Sequence, residues 1–184
     1  MSLTINHQTN DISATSGSVT IGGTAVGGAG VHTLINTTKI TSTTANITVT
    51  GIDAKYKIVL VKFALRGGSN ASGLSMKFGI DGTIATGNIY TTGTNSRAYM
   101  QICGGAAKQQ NAGHLEIFNL GDSGARTVVF KKLAEMTDDF TEMYSNDGKF
   151  STRNNTAYNT FQLYGTFGSS FTSGFVNTYG IADS

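Results

Sequence analysis

Charge is scarce in this sequence, cysteine is nearly absent, and tryptophan and proline are missing altogether. Only 13 % of the 184 residues are charged, the net charge is +2, and the Lys and Arg residues are scattered along the chain. That balance is too weak to hold a phosphate backbone, so nucleic acid is not an expected partner. The longest basic cluster, Lys131-Lys132, reads as a solvated strand end. Cys103 is the sole cysteine, which excludes an internal disulfide framework. Its setting, Gln-Ile-Cys-Gly-Gly, reads as a small buried apolar position. No stretch reaches the roughly eighteen apolar residues that cross a bilayer, and membrane insertion is not expected. The basic and apolar regions of a secretory signal are also missing, so the expectation is a protein made in a cytoplasm and released, if at all, by a route without a signal.

The motifs of common enzymes are missing too. There is no GxSxG, HExxH, P-loop or dinucleotide-binding glycine fingerprint. His7, His32 and His114 stand far apart, none at metal-ligand spacing from a Cys or carboxylate, and read as surface or turn residues. Glu135, Asp138, Asp139 and Glu142 form the one dense acidic group. A glycosidase needs two carboxylates held across a cleft, whereas four acids in one stretch read as a solvated face. The sequence predicts no enzymatic activity, no cofactor and no metal site.

What is abundant is Gly, Thr, Ser and Asn, together with ten Phe and seven Tyr. Those aromatics argue against disorder and for a folded core. LSMKFGID places Leu74, Met76, Phe78 and Ile80 on one face and turns at Asp81-Gly82. HLEIF alternates Leu115 and Ile117 with His114, Glu116 and Phe118. KYKIVLVKFALRGG is apolar on both faces over Ile58–Phe63, as suits a strand central to a sandwich. ITVTG, YMQIC, RTVVFKK, NTFQLYG and GFVNTYGI supply further strands. About eight short strands separated by turns predict an all-β fold, a jelly-roll-like antiparallel β-sandwich. LAEMTDDFTEMY resists, because Leu133, Met136, Phe140 and Met143 recur at helical spacing; a short helix and an irregular loop are equally compatible with it.

The loops TGNIYTTGTNSR and YSNDGKFSTRNNTAYN offer Tyr90, Tyr144 and Tyr158 as candidates for stacking on a glycan. The competing reading makes them a tyrosine lid over the core. Residues 1–30 differ from everything that follows. In LTINHQTNDISATSGSVTIGGTAVGG a β-branched apolar residue returns every seventh position, at Ile5, Ile12, Val19 and Val26. One apolar position per heptad, among many Gly, Thr and Ser, does not make a coiled coil. The reading is an extended N-terminal arm (1–30) ahead of a β-sandwich domain (31–184), ordered only when another chain supplies apolar partners.

The same opening segment is similar to one that recurs in structural proteins of marine tailed bacteriophages. The ending FQLYGTFGSSFTSGFVNTYGI resembles the closing strand pair of small phage fibre and decoration domains, and ITVTGIDAKYKIVLVKFALRGG with LSMKFGIDGT fits the same pattern. Residues 133–158 match least. The resemblance implies a virion protein, usually homotrimeric, assembled in the host cytoplasm and released by lysis. Its arm would attach to other virion proteins, and its sandwich would be exposed for host-surface contact, as in a tail fibre, receptor-binding component or capsid decoration protein. It carries over no individual functional residue. The alternative is a free carbohydrate-binding β-sandwich module, weakened by the missing tryptophan platform.

Overall fold

A computed structural model describes residues 3–6, 11–14, 20–21, 24–25, 32–67, 73–87, 89–92, 95–103, 110–136, 143–145, 147–165 and 170–182; for those between 3 and 25 it describes the backbone. Every regular element among them is a strand, and every pairing is antiparallel. The strands are β1 (Leu3–Asn6), β2 (Asp11–Ala14), β3 (Thr20–Ile21), β4 (Thr24–Ala25), β5 (Thr33–Ile40), β6 (Asn46–Val49), β7 (Tyr56–Gly67), β8 (Leu74–Ile80) and β9 (Thr83–Ile84). They continue with β10 (Tyr90–Thr92), β11 (Asn95–Arg97), β12 (Met100–Gln101), β13 (Gln110–Phe118), β14 (Val128–Met136), β15 (Met143–Ser145), β16 (Gly148–Thr152), β17 (Thr160–Gly165) and β18 (Phe171–Ala182).

Two sheets form a sandwich. The larger runs β11-β10-β16-β14-β13-β7-β18-β5, with β15 also on β14; the smaller runs β12-β8-β17-β6, with β9 on β8. The apolar alternation of the sequence decides which faces meet. Val59, Val61, Phe63, Leu65, Leu115, Ile117 and Val176 of the large sheet, and Leu74, Met76, Phe78, Phe161, Leu163, Ile47 and Val49 of the small one, are buried in one shared core. β7, apolar on both faces, lies between β13 and β18, and even its outward Leu60 is buried. Cys103 is buried, with the Leu74 N–H directed at its sulfur at 3.2 Å.

Several sequence expectations are corrected. Asp81 and Gly82 do turn the chain, with φ of 50° and 84° that suit a two-residue hairpin of the type I′ class. Ile80, however, is 45 % exposed, because β8 runs past the edge of the core before it turns. Leu133–Met136 are not helical. They continue β14, whose pairing with β13 runs unbroken to Gln110 opposite Met136, and Met143 returns opposite Met136 in β15. A strand partner along the full length overrides the helical spacing; residues 137–142 lie outside the described residues. Lys131 is not a solvated strand end. It is buried, and its Nζ donates to the Ile102 carbonyl at 2.6 Å, whereas Lys132 faces outward.

The leading segment is not one extended run at its described positions. β1 pairs with β2, placing Ile5 opposite Ile12, and β3 pairs with β4. Among the described residues, neither two-stranded sheet joins a strand of the sandwich. Val19 and Val26, which repeat the seven-residue separation of Ile5 and Ile12, lie outside the described residues.

Candidate functional site

Tyr90 and Tyr158 are core residues, 1 % and 2 % exposed. Phe78 stacks on Tyr158 with ring centroids 5.5 Å apart and meets Tyr90 at 6.1 Å. The Tyr158 hydroxyl donates to Asn154 Oδ1 at 3.0 Å, and the Tyr90 hydroxyl accepts the Phe78 N–H at 2.6 Å. A ring so enclosed offers no face to a sugar. These two tyrosines close the end of the core, each with its polar tip hydrogen-bonded. Tyr144 lies in β15 opposite Glu135, with its side chain outside the described residues. Asp138, Asp139 and Glu142 also lie outside them, as does His7. His32 is exposed, its ring 6.1 Å from that of Tyr179. Among the described residues no three His, Cys, Asp or Glu side chains come together as a metal site.

A concavity opens elsewhere, on the outer face of the large sheet. It is an open cleft of about 590 Å³ bounded by His114, Glu116, Phe130, Lys132, Asp147 and Lys149. Strand pairing explains the grouping. Glu116 of β13 stands opposite Phe130 of β14, which stands opposite Lys149 of β16. One step along, His114 stands opposite Lys132. Residues two apart on a strand share a face, so His114 with Glu116 and Phe130 with Lys132 project away from the core; Lys149 stands in the Phe130 row, and the exposed Asp147 immediately precedes β16.

β15 and β16 lie along β14 in one register, with Ala134 opposite Ser145 and Lys131 opposite Gly148, and the cleft opens beside the β16 end of that run. Phe130 is 45 % exposed and is held edge-on by Phe118, with centroids 5.7 Å apart and planes at 87°. His114 Nε2 and Glu116 Oε1 are 3.8 Å apart, and both side chains remain accessible. The cleft thus presents one aromatic wall, two carboxylates, two ammonium groups and an imidazole.

Sequence reasoning placed His114 and Glu116 on the outward side of their strand but did not join them to Phe130 or Lys149. The signal is the outward set of HLEIF set against that of RTVVFKK, and it becomes readable only once the pairing of β13 with β14 is known.

No protein-family model matches this chain, and no curated protein sequence matches it.

Proposed function

We propose that this chain is a non-enzymatic structural protein of a phage particle surface. In this reading residues 1–30 serve assembly and the sandwich is exposed for contact with the host surface. The observation that carries the proposal is the self-pairing of the leading strands: among the described residues β1 pairs with β2 and β3 with β4, and neither pair joins a strand of the body. A two-stranded hairpin by itself is marginal in water, so order there calls for company. Other copies of this chain, in a homotrimer, and other virion proteins are the proposed company.

The connectivity supports the same reading. Taken in chain order, β5, β6, β7, β8, β12, β13, β17 and β18 fall into two groups of four. The first, eighth, third and sixth neighbour one another in the large sheet, and the second, seventh, fourth and fifth make the path of the small one. We read that interleaving as jelly-roll connectivity, a scaffold common in capsid and lectin domains. β10, β11 and β14–β16 widen the large sheet beyond that frame. Fold alone does not carry function, and the assignment rests on the leading strands and the resemblance of the sequence to phage structural proteins.

Light scattering on the full chain and on residues 32–184 tests the proposal. The full chain is expected at the mass of three copies and the truncated chain at a lower mass. A full-length monomer, or a trimer indifferent to the truncation, contradicts the assembly role.

A further inference from the structure

We propose that the cleft between β13, β14 and β16 is a carbohydrate-binding site that takes a single pyranose ring against Phe130. The inference rests on reading the sandwich as the surface-contact part of the molecule, and it names the contact. A pyranose has C–H groups on one face and hydroxyls around its rim. Its recognition therefore asks for an exposed ring with donors and acceptors beside it in one plane. Phe130 provides the ring, nearly half exposed and fixed in orientation by the edge of Phe118. Glu116 lies on one side of it in the same cross-strand row and Lys149 on the other. Lys132, two residues along β14, and Asp147, two residues before Lys149, extend the rim along the cleft. Glu116 and Asp147 accept from hydroxyls, and Lys132 and Lys149 donate to hydroxyl or carboxylate oxygens.

Charge argues for a sugar over a simple anion. Of the three lysines that line the cleft, Lys131 turns its Nζ inward to the Ile102 carbonyl, and the outward Lys132 and Lys149 are matched by Glu116 and Asp147, so the open side has no strong net field to hold phosphate or sulfate. Position argues for it as well: all six residues sit on paired strands of the large sheet or directly beside them, so the site is preformed.

The test is a glycan array of bacterial and animal oligosaccharides probed with the fluorescently labelled full chain, followed by calorimetric titration of the strongest binder. Phe130→Ala is expected to weaken binding about tenfold or more, the loss of one stacking face. Glu116→Gln and Lys149→Met are expected to weaken it several-fold. Phe175→Ala removes another exposed ring of the same sheet face, on β18, and is expected to leave binding unchanged. If Phe130→Ala fails to fold, by loss of its thermal transition, the Glu116 and Lys149 variants decide. Retention of no carbohydrate by the wild-type chain overturns the inference, as does wild-type affinity in the cleft variants. A Phe130→Ala variant that changes oligomeric mass while no sugar binds also overturns it, by making Phe130 an interface residue. The trimer proposed above is read by light scattering and can stand or fall separately.

Discussion

Lys131 on β14 hands its Nζ to the backbone oxygen of Ile102, just beyond β12, at 2.6 Å, and so bonds one sheet of the sandwich to the other. The same ammonium lies 5.5 Å from the centre of the Phe150 ring. A buried charge survives only with such partners, and the bond to a charged donor is worth more than a neutral one. Lys131→Ala removes the donor, leaves the Ile102 carbonyl without it and opens space beside Phe150. Urea unfolding is expected to show a loss of about 2 kcal/mol. Lys132→Ala, one residue on and facing solvent, is expected to lie within about 0.5 kcal/mol of wild type.

Tyr90 fills a gap in a ladder. On the outer edge of β8, β12 pairs at Ser75 and Met76 and β9 at Gly79 and Ile80, and between them the Phe78 N–H goes to the Tyr90 hydroxyl. Burial pushes the Tyr90 phenol far above its ordinary value of 10.0 and that of Tyr164 up to about 12. The unfolded chain therefore gives up these protons first. Their contribution to stability is intact below about pH 10 and is lost as pH rises through 12 and beyond. Denaturation midpoints from pH 8 to 12 should stay level and then fall. Tyr90→Phe should start lower by roughly 1–3 kcal/mol, since the Phe78 N–H loses its acceptor, and then fall less steeply with pH.

Two glycines of β18 are fixed by what lies against them. Gly174 has φ +132° beside the register shift at the start of the strand, and a Cβ there would meet the carbonyl oxygen of Ala64. Gly180 carries the Tyr56 ring directly over its Cα, where a Cβ would overlap the ring. Gly174→Ala has no relief, because both the backbone and the neighbouring strand object, and is expected to cost more than about 2 kcal/mol. Gly180→Ala can be eased by rotating Tyr56 away and should cost less. Thermal melts of the two variants check the order; equal melting temperatures would contradict it.

Strand content and the inward faces were legible because period-two alternation is local. Leu74, Met76 and Phe78, or Leu115 and Ile117, announce a half-buried strand without knowledge of its neighbours. What depended on a distant partner was not legible. Lys131 and Lys132 are adjacent and alike, yet one points to the core because its strand continues the alternation of Val129 and Leu133. Tyr90 and Tyr158 sit in polar, Asn- and Thr-rich stretches that look like surface loops, and their burial is decided by Phe78, packed between them. Helical spacing from Leu133 to Met136 gave way to strand pairing with β13 for the same reason. The cleft around Phe130 is the extreme case, assembled from three strands whose adjacency no single window of sequence contains.

The dependence of the leading strands on neighbouring copies can be read directly by hydrogen exchange of peptides covering residues 3–14, measured across a dilution series that spans the oligomer's dissociation. The account predicts that amide protection over β1 and β2 falls in step with oligomeric mass while protection of β7, β13 and β18 stays unchanged. Full protection of residues 3–14 in a monomer too dilute to associate would contradict it.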